Sequence, residues 1–169
     1  METLLFIILG VLSRILPHAP NMTAVGGVAL FSGAKFNTKK AVTITLLTML
    51  ISDFIIGFHS LMFATYGGMI LAVFVGKWIS QRAGARRIIA GTFLSSAIFF
   101  VITNFAVWAA TPLYAKTMNG FITCYIMALP FFRNSITGDM LYSISFFTID
   151  AIFNYYKFPL FHWPRKLFS

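Results

Sequence analysis

The chain has 169 residues, 59% of them hydrophobic and only 10% charged, with a net charge of +9 and a mean hydropathy of +0.84. A water-soluble domain carries about a quarter charged residues, so this composition excludes an ordinary soluble enzyme, and the positive charge has no soluble face on which to form a nucleic-acid surface. A single cysteine, Cys124, excludes an internal disulfide and a cysteine-based metal cluster.

Apolar runs recur along the whole chain, which reads as one integral membrane domain over residues 1–169. In order, the predicted spans are 3–16, 22–36, 40–57, 61–80, 87–110 and 137–156. The first run has no basic start and no small-residue cleavage site, and Arg14 interrupts its end, so it reads as a retained helix and not a signal peptide. The first two spans are short, which suits helices shielded by neighbours or a thinned bilayer. The stretch Asn119 to Phe132 is apolar but also short, with Pro130 near its end. It is expected to be a short extra helix at the outer face that does not cross. A polar turn, Pro130 to Asp139, is expected to join it to the last span.

Basic residues set the orientation. Lys35, Lys39 and Lys40 lie in one loop, Lys77, Arg82, Arg86 and Arg87 two spans later, and Lys157, Arg165 and Lys166 near the end. Six spans place these ten of the thirteen basic residues on one side, leaving Arg14, Lys116 and Arg133 opposite. That asymmetry predicts a protein of the bacterial cytoplasmic (inner) membrane with both termini cytoplasmic.

Polar side chains gather on the predicted outer side. A proline-stiffened loop carries His18, Asn21 and Thr23; Asn104 and Trp108 stand one turn apart near the end of the fifth span; Asn134 and Asp139 open the sixth, with Tyr142 about one turn below. Ionisable groups at membrane depth need a partner or a polar cavity, so these eight residues are the candidate substrate-binding set. Each also has a plainer role open to it. Asp139 can serve as an N-terminal helix charge paired with Arg133, Trp108 as an interfacial aromatic, and His18 as a solvated loop residue. Asp53 and His59 suit a structural pair or a proton relay. Asp150 requires some partner within the bundle, and Cys124 suits a small core filler or a soft metal ligand.

Small residues recur every four positions as Ala29 and Gly33 on the second span and Gly68, Ala72 and Gly76 on the fourth. Such stripes let helix backbones approach closely, either inside the bundle or against a partner subunit. No His-Glu-x-x-His, nucleophile elbow or phosphate loop is present, so no enzyme, cofactor or resident metal is expected, and active transport would need an external energy source.

Two resemblances add to this reading. Asn21-x-Thr-x-x-Gly-Gly-x-Ala-Leu-Phe-x-Gly-Ala34, followed by Lys39-Lys40 and by Ser52-Asp53-x3-Gly57, is similar to the S-component, the substrate-binding subunit of energy-coupling-factor transporters. Ala128-Leu-Pro-Phe-Phe132 with Gly138-Asp139-Met-Leu-Tyr142 resembles the Pro-Phe-x-x-Gly-Asp-x-x-Lys turn of the biotin-type members. The lysine of that turn is Tyr142 or Ser143 here, and Gly10 and Arg14 stand where S-components often carry an Ala-x3-Ala stripe. Arg14 to Thr23, Asp53-x3-Gly-Phe-His-Ser60 and Thr103-Asn-Phe-Ala-Val-Trp108 also resemble an uncharacterised bacterial integral-membrane family assigned to transport. The resemblance implies a six-transmembrane-helix all-α bundle that captures a vitamin-like small-molecule solute beneath its first loop. It also implies partnership with an energy-coupling transmembrane subunit and ATPases. The competing expectation is a structural or assembly membrane protein without a ligand.

Overall fold

The computed structural model describes residues 2–82 and 84–155; Lys157, Arg165 and Lys166 of the predicted basic tail, and Tyr156 of the last predicted span, lie outside the described residues. Six helices follow one another: α1 (Glu2–Ile15), α2 (Val25–Lys35), α3 (Thr38–Ile56), α4 (Met62–Ser80), α5 (Ala85–Ala110) and α6 (Met118–Tyr155). Among the described residues there is no strand.

Contacts fix the directions. Gly10 and Arg14 of α1 meet Thr48 and Ser52 of α3, so those two helices run parallel. Along α2 and α6, Gly26 meets Asp139, Gly27 meets Tyr142, Phe31 meets Phe147, and Lys35 meets Asp150. Both sequences advance together there, so these helices are parallel too. Tyr66 reaching back to Asp53 makes α3 and α4 antiparallel, and Phe100 on Phe132 does the same for α5 and α6. The result is an up-and-down bundle. Its connections 16–24, 57–61 and 111–117 share one end, and residues 2 and 155 share the other.

Helix α2 occupies the centre. Every residue from Val25 to Ala34 is buried, which is what a helix apolar on all sides requires. At 11 residues it is about 16 Å long. Its crossing with α4 depends on missing side chains: a Cβ on Gly33 would lie 2.0 Å from the Val73 carbonyl oxygen, and one on Gly76 would lie 2.0 Å from that of Leu30. Ala29 and Ala72 are buried at the same crossing. The small-residue stripes are therefore spent inside the chain on α2–α4 packing. Gly68 faces the Phe99 ring of α5 in the same way, a Cβ there falling 2.8 Å from that ring. Not one of the five is left on an outer face for a partner helix.

A hydrophobic core is interspersed with buried hydroxyls, and the exterior is unusually apolar. Ser32, Thr45, Thr48, Ser52, Thr92, Ser96 and Ser143 are buried, while leucines, isoleucines and phenylalanines of α1, α3, α4, α5 and α6 are exposed. Most of these inner hydroxyls donate to the carbonyl one turn earlier, as Thr48 does to Ile44 at 2.8 Å, so they satisfy themselves within the helix. Helices α4, α5 and α6 (to Phe153) are each long and apolar enough to cross a membrane. Those three helices suggest a membrane protein.

The expected extra helix over 119–132 and the polar turn after it are not found. Residues Met118–Tyr155 form a single 38-residue helix, about 57 Å long, with Pro130 inside it. Residues 119–132 run antiparallel to the C-terminal half of α5 and are held there by aromatic contacts. Phe100 stacks on Phe132 at 4.4 Å, Phe100 meets Tyr125 edge-on at 5.5 Å, and Trp108 meets Phe121 edge-on at 5.3 Å. Tyr125 also donates to the Val101 carbonyl at 2.8 Å. Turn-forming residue types misled the sequence reading. In context Thr137 donates to the Arg133 carbonyl one turn back, and Asp139 is engaged with α5, so packing overrides local turn preference.

Candidate functional site

A cavity follows from the shortness of α2. Its neighbours α3, α5 and α6 are 19, 26 and 38 residues long and extend past its first residue, leaving open space above Val25 and Gly26. This space measures about 300 Å³, within the range of small-ligand pockets. The 16–24 connection borders it through His18, Asn21 and Thr23, and α6 borders it through Ser135 and Asp139. Asn21 takes a left-handed φ of 63°, and the Met22 amide donates to the Ala19 carbonyl at 2.9 Å, so the loop turns back over the opening and is not extended.

Asp139 reaches the cavity across the first turn of α2. A Cβ on Gly26 would fall 2.0 Å from Asp139 Oδ1, so glycine at 26 is what admits the carboxylate. The Ser96 hydroxyl of α5 donates to Oδ2 at 2.6 Å. No ion pair between Asp139 and Arg133 forms among the described residues; Arg133 is exposed.

Arg14 forms the facing wall. Its guanidinium pairs with Asp53 Oδ1 at 2.6 Å and donates to Ser52 Oγ at 2.6 Å, and the Tyr66 hydroxyl donates to Asp53 Oδ2 at 2.8 Å. Asp53 therefore pairs with Arg14 and Tyr66, and His59 instead borders a second chamber of about 370 Å³. Asn104 also borders that chamber, which continues from the first through Arg14, Asn21, Thr65, Phe99 and Ser135, residues common to both.

The eight candidate residues thus divide. His18, Asn21, Thr23 and Asp139 line the first chamber, and Asn104 lines the second. Asn104 also donates to its own helix at the Phe100 carbonyl, 2.8 Å away. Trp108, Asn134 and Tyr142 line neither. The Trp108 indole donates to the Ala115 carbonyl at 3.0 Å and packs among Phe105 and Phe121, tying down the α5–α6 connection. Lys116 caps the end of α5 beside it, donating to the Trp108 and Thr111 carbonyls. Tyr142 packs on Phe146 and closes over Gly27.

Asn134 fails for a reason the helix makes plain. Five residues before Asp139, it lies on a different face, whereas Ser135, four residues before, shares the cavity face. That spacing was a readable signal once 130–139 is helical. Arg14 was passed over because it read as a topology marker, and Phe99, Thr65 and Met69 carry no signal in the sequence. Cys124 is buried with Sγ 3.5 Å from the Asn104 carbonyl oxygen. No cluster of three or more His, Cys, Asp or Glu side chains suited to a metal occurs among the described residues. Asp150, left without a named partner by the sequence, forms a buried ion pair with Lys35.

Fold and site together define an all-helical protein with an apolar exterior and a polar cavity at one end of the bundle. Residues 1–161 match the model of a family of unknown function, DUF6580, and the chain belongs to that family. No curated protein and no solved structure matches it.

Proposed function

We propose that the protein is a membrane transport subunit that binds a small vitamin-like solute at its outer face for uptake, energised by a partner. The observation that carries this reading is the convergence of the 16–24 loop, Arg14 and Asp139 on one cavity, since a protein concerned only with packing has no use for such a space. In this reading all six helices form an S-component-like bundle across the bacterial inner membrane. Helix α2 is too short to cross about 30 Å of hydrocarbon unaided and is shielded from lipid by its neighbours. The end carrying Lys39, Lys40, Lys77, Arg82 and Arg86 faces the cytoplasm under the positive-inside rule, which puts the cavity outside and both termini within. The small-residue stripes being internal, an energy-coupling transmembrane subunit with its ATPases would dock on the exposed apolar faces of other helices.

Untargeted mass spectrometry of molecules co-purifying with the detergent-solubilised chain tests the reading. One small solute should be enriched with the unaltered protein and reduced about tenfold or more with Asp139→Ala, the loss expected for one buried polar contact of a charged group. Absence of any enriched solute would favour the second reading, a structural or assembly protein. What speaks for that second reading is the self-sufficiency of Trp108 and Asn104, whose donors are both bonded within the chain.

A further inference from the structure

We infer that the ligand of the cavity is a small organic cation, such as a protonated amine or a cationic ring, held against Asp139; this rests on the cavity being a solute site. The reason is an imbalance among the aspartates of the bundle, of which Asp53 and Asp150 are buried and Asp139, on the cavity wall, is half-buried. Three aspartates have described side chains. Asp53 is compensated by Arg14 at 2.6 Å and Asp150 by Lys35. Asp139 alone has no cation within ion-pair distance among the described residues, and its one hydrogen bond comes from the neutral Ser96 hydroxyl.

Arg14 borders the same cavity but its charge is engaged by Asp53, with Ser52 taking a further N–H. His18 is the remaining titratable side chain on this wall. It is exposed at the rim with Nδ1 2.7 Å from the Leu16 carbonyl oxygen, where water and salt screen it. The first turn of α2 beside Asp139 offers about half a positive charge at most. An isolated carboxylate in such surroundings must be balanced by a cation or by a proton, and the adjoining cavity has room for the former. The residue types along its other walls suit an organic cation: Phe99 carries an aromatic ring, Met69 a polarisable thioether and Ser135 a hydroxyl.

Three probes of nearly equal size separate charge from shape: benzylammonium, benzyl alcohol and benzoate, each titrated into the full chain in lipid nanodiscs while its melting temperature is followed. Benzylammonium should stabilise saturably, at concentrations about tenfold or more below those benzyl alcohol needs, and benzoate should give no shift. In Asp139→Asn the advantage of benzylammonium over benzyl alcohol should vanish. Equal or better stabilisation by benzyl alcohol would mean that a proton balances Asp139, and the inference would be overturned. A preference for benzoate, or no shift with any probe, overturns it as well. The ranking on the unaltered chain needs no variant, so a poorly folding Asp139→Asn leaves the test decisive. A co-purifying solute that proves neutral or anionic would sink this inference while leaving the transport reading standing.

Discussion

The seam between α2 and α6 has two ends that solve the same problem differently. At one end Asp150 is buried against Lys35, with the Phe31, Phe146 and Phe147 rings packed just above, and neither partner lines either chamber of the candidate site. At the other end, eleven residues earlier on α6, Asp139 meets the first turn of α2 and opens on a cavity of about 300 Å³. Both carboxylates sit on the same helix and face the same neighbour. The difference is that α2 carries a lysine at its last residue and only glycine opposite Asp139. A charge compensated within the chain is structural; a charge left for something else to compensate marks a site.

The largest test of this contrast is Lys35→Met, which breaks the buried Lys35–Asp150 ion pair and should cost about 3–5 kcal/mol, read as a lowered melting temperature. Replacing both partners, Lys35→Met with Asp150→Leu, should recover most of that loss, because an apolar pair of similar size removes the uncompensated charge. If the double variant melts as low as the single one, the pair contributes more than charge balance. Gly33→Ala probes the tight α2–α4 packing near the same end. Its Cβ would meet the Val73 carbonyl oxygen at 2.0 Å, so the α2–α4 crossing must widen, at about 1–3 kcal/mol. An unchanged melting temperature there would mean the crossing is looser than its geometry.

At the open end the expected stability effects are smaller. Trp108→Phe removes one indole hydrogen bond and should cost about 1 kcal/mol, with solute co-purification unaffected because the ring lines neither chamber. Loss of the solute in that variant would return Trp108 to the site. Asp139→Asn should change stability least, by under about 1 kcal/mol, since no internal ion pair is broken and the amide oxygen still accepts from Ser96. A melting loss as large as that of Asp150→Asn would show that Asp139 has a structural partner after all and erase the contrast between the two ends.

Much of this arrangement was legible in the sequence. Six apolar segments, their order and most of their bounds follow from hydropathy alone, because burial or lipid exposure of a whole helix needs long apolar runs. The shielding of the short second segment was likewise readable, as were the loop residues His18, Asn21 and Thr23 and the exceptional position of Asp139. What misled was residue type taken locally. Pro130, Asn134, Ser135 and Gly138 are turn formers in isolation, and read that way they broke one helix into a surface helix and a turn. That error then placed Asn134, not Ser135, beside Asp139.

The sequence by itself determined that the chain is helical and outwardly apolar, because hydropathy and helix period are properties of neighbouring residues. It also determined which few ionisable groups must find partners, since burying a charge is costly in any fold. Only the tertiary structure decided the partners. Arg14 with Asp53 and Lys35 with Asp150 are 39 and 115 positions apart, and nothing local links them. The small-residue stripes could equally have faced lipid, a partner or each other until the α2–α4 crossing was fixed. Asp139 became the one described aspartate without a cation only once the others were matched, which is a property of the whole bundle and of no segment within it.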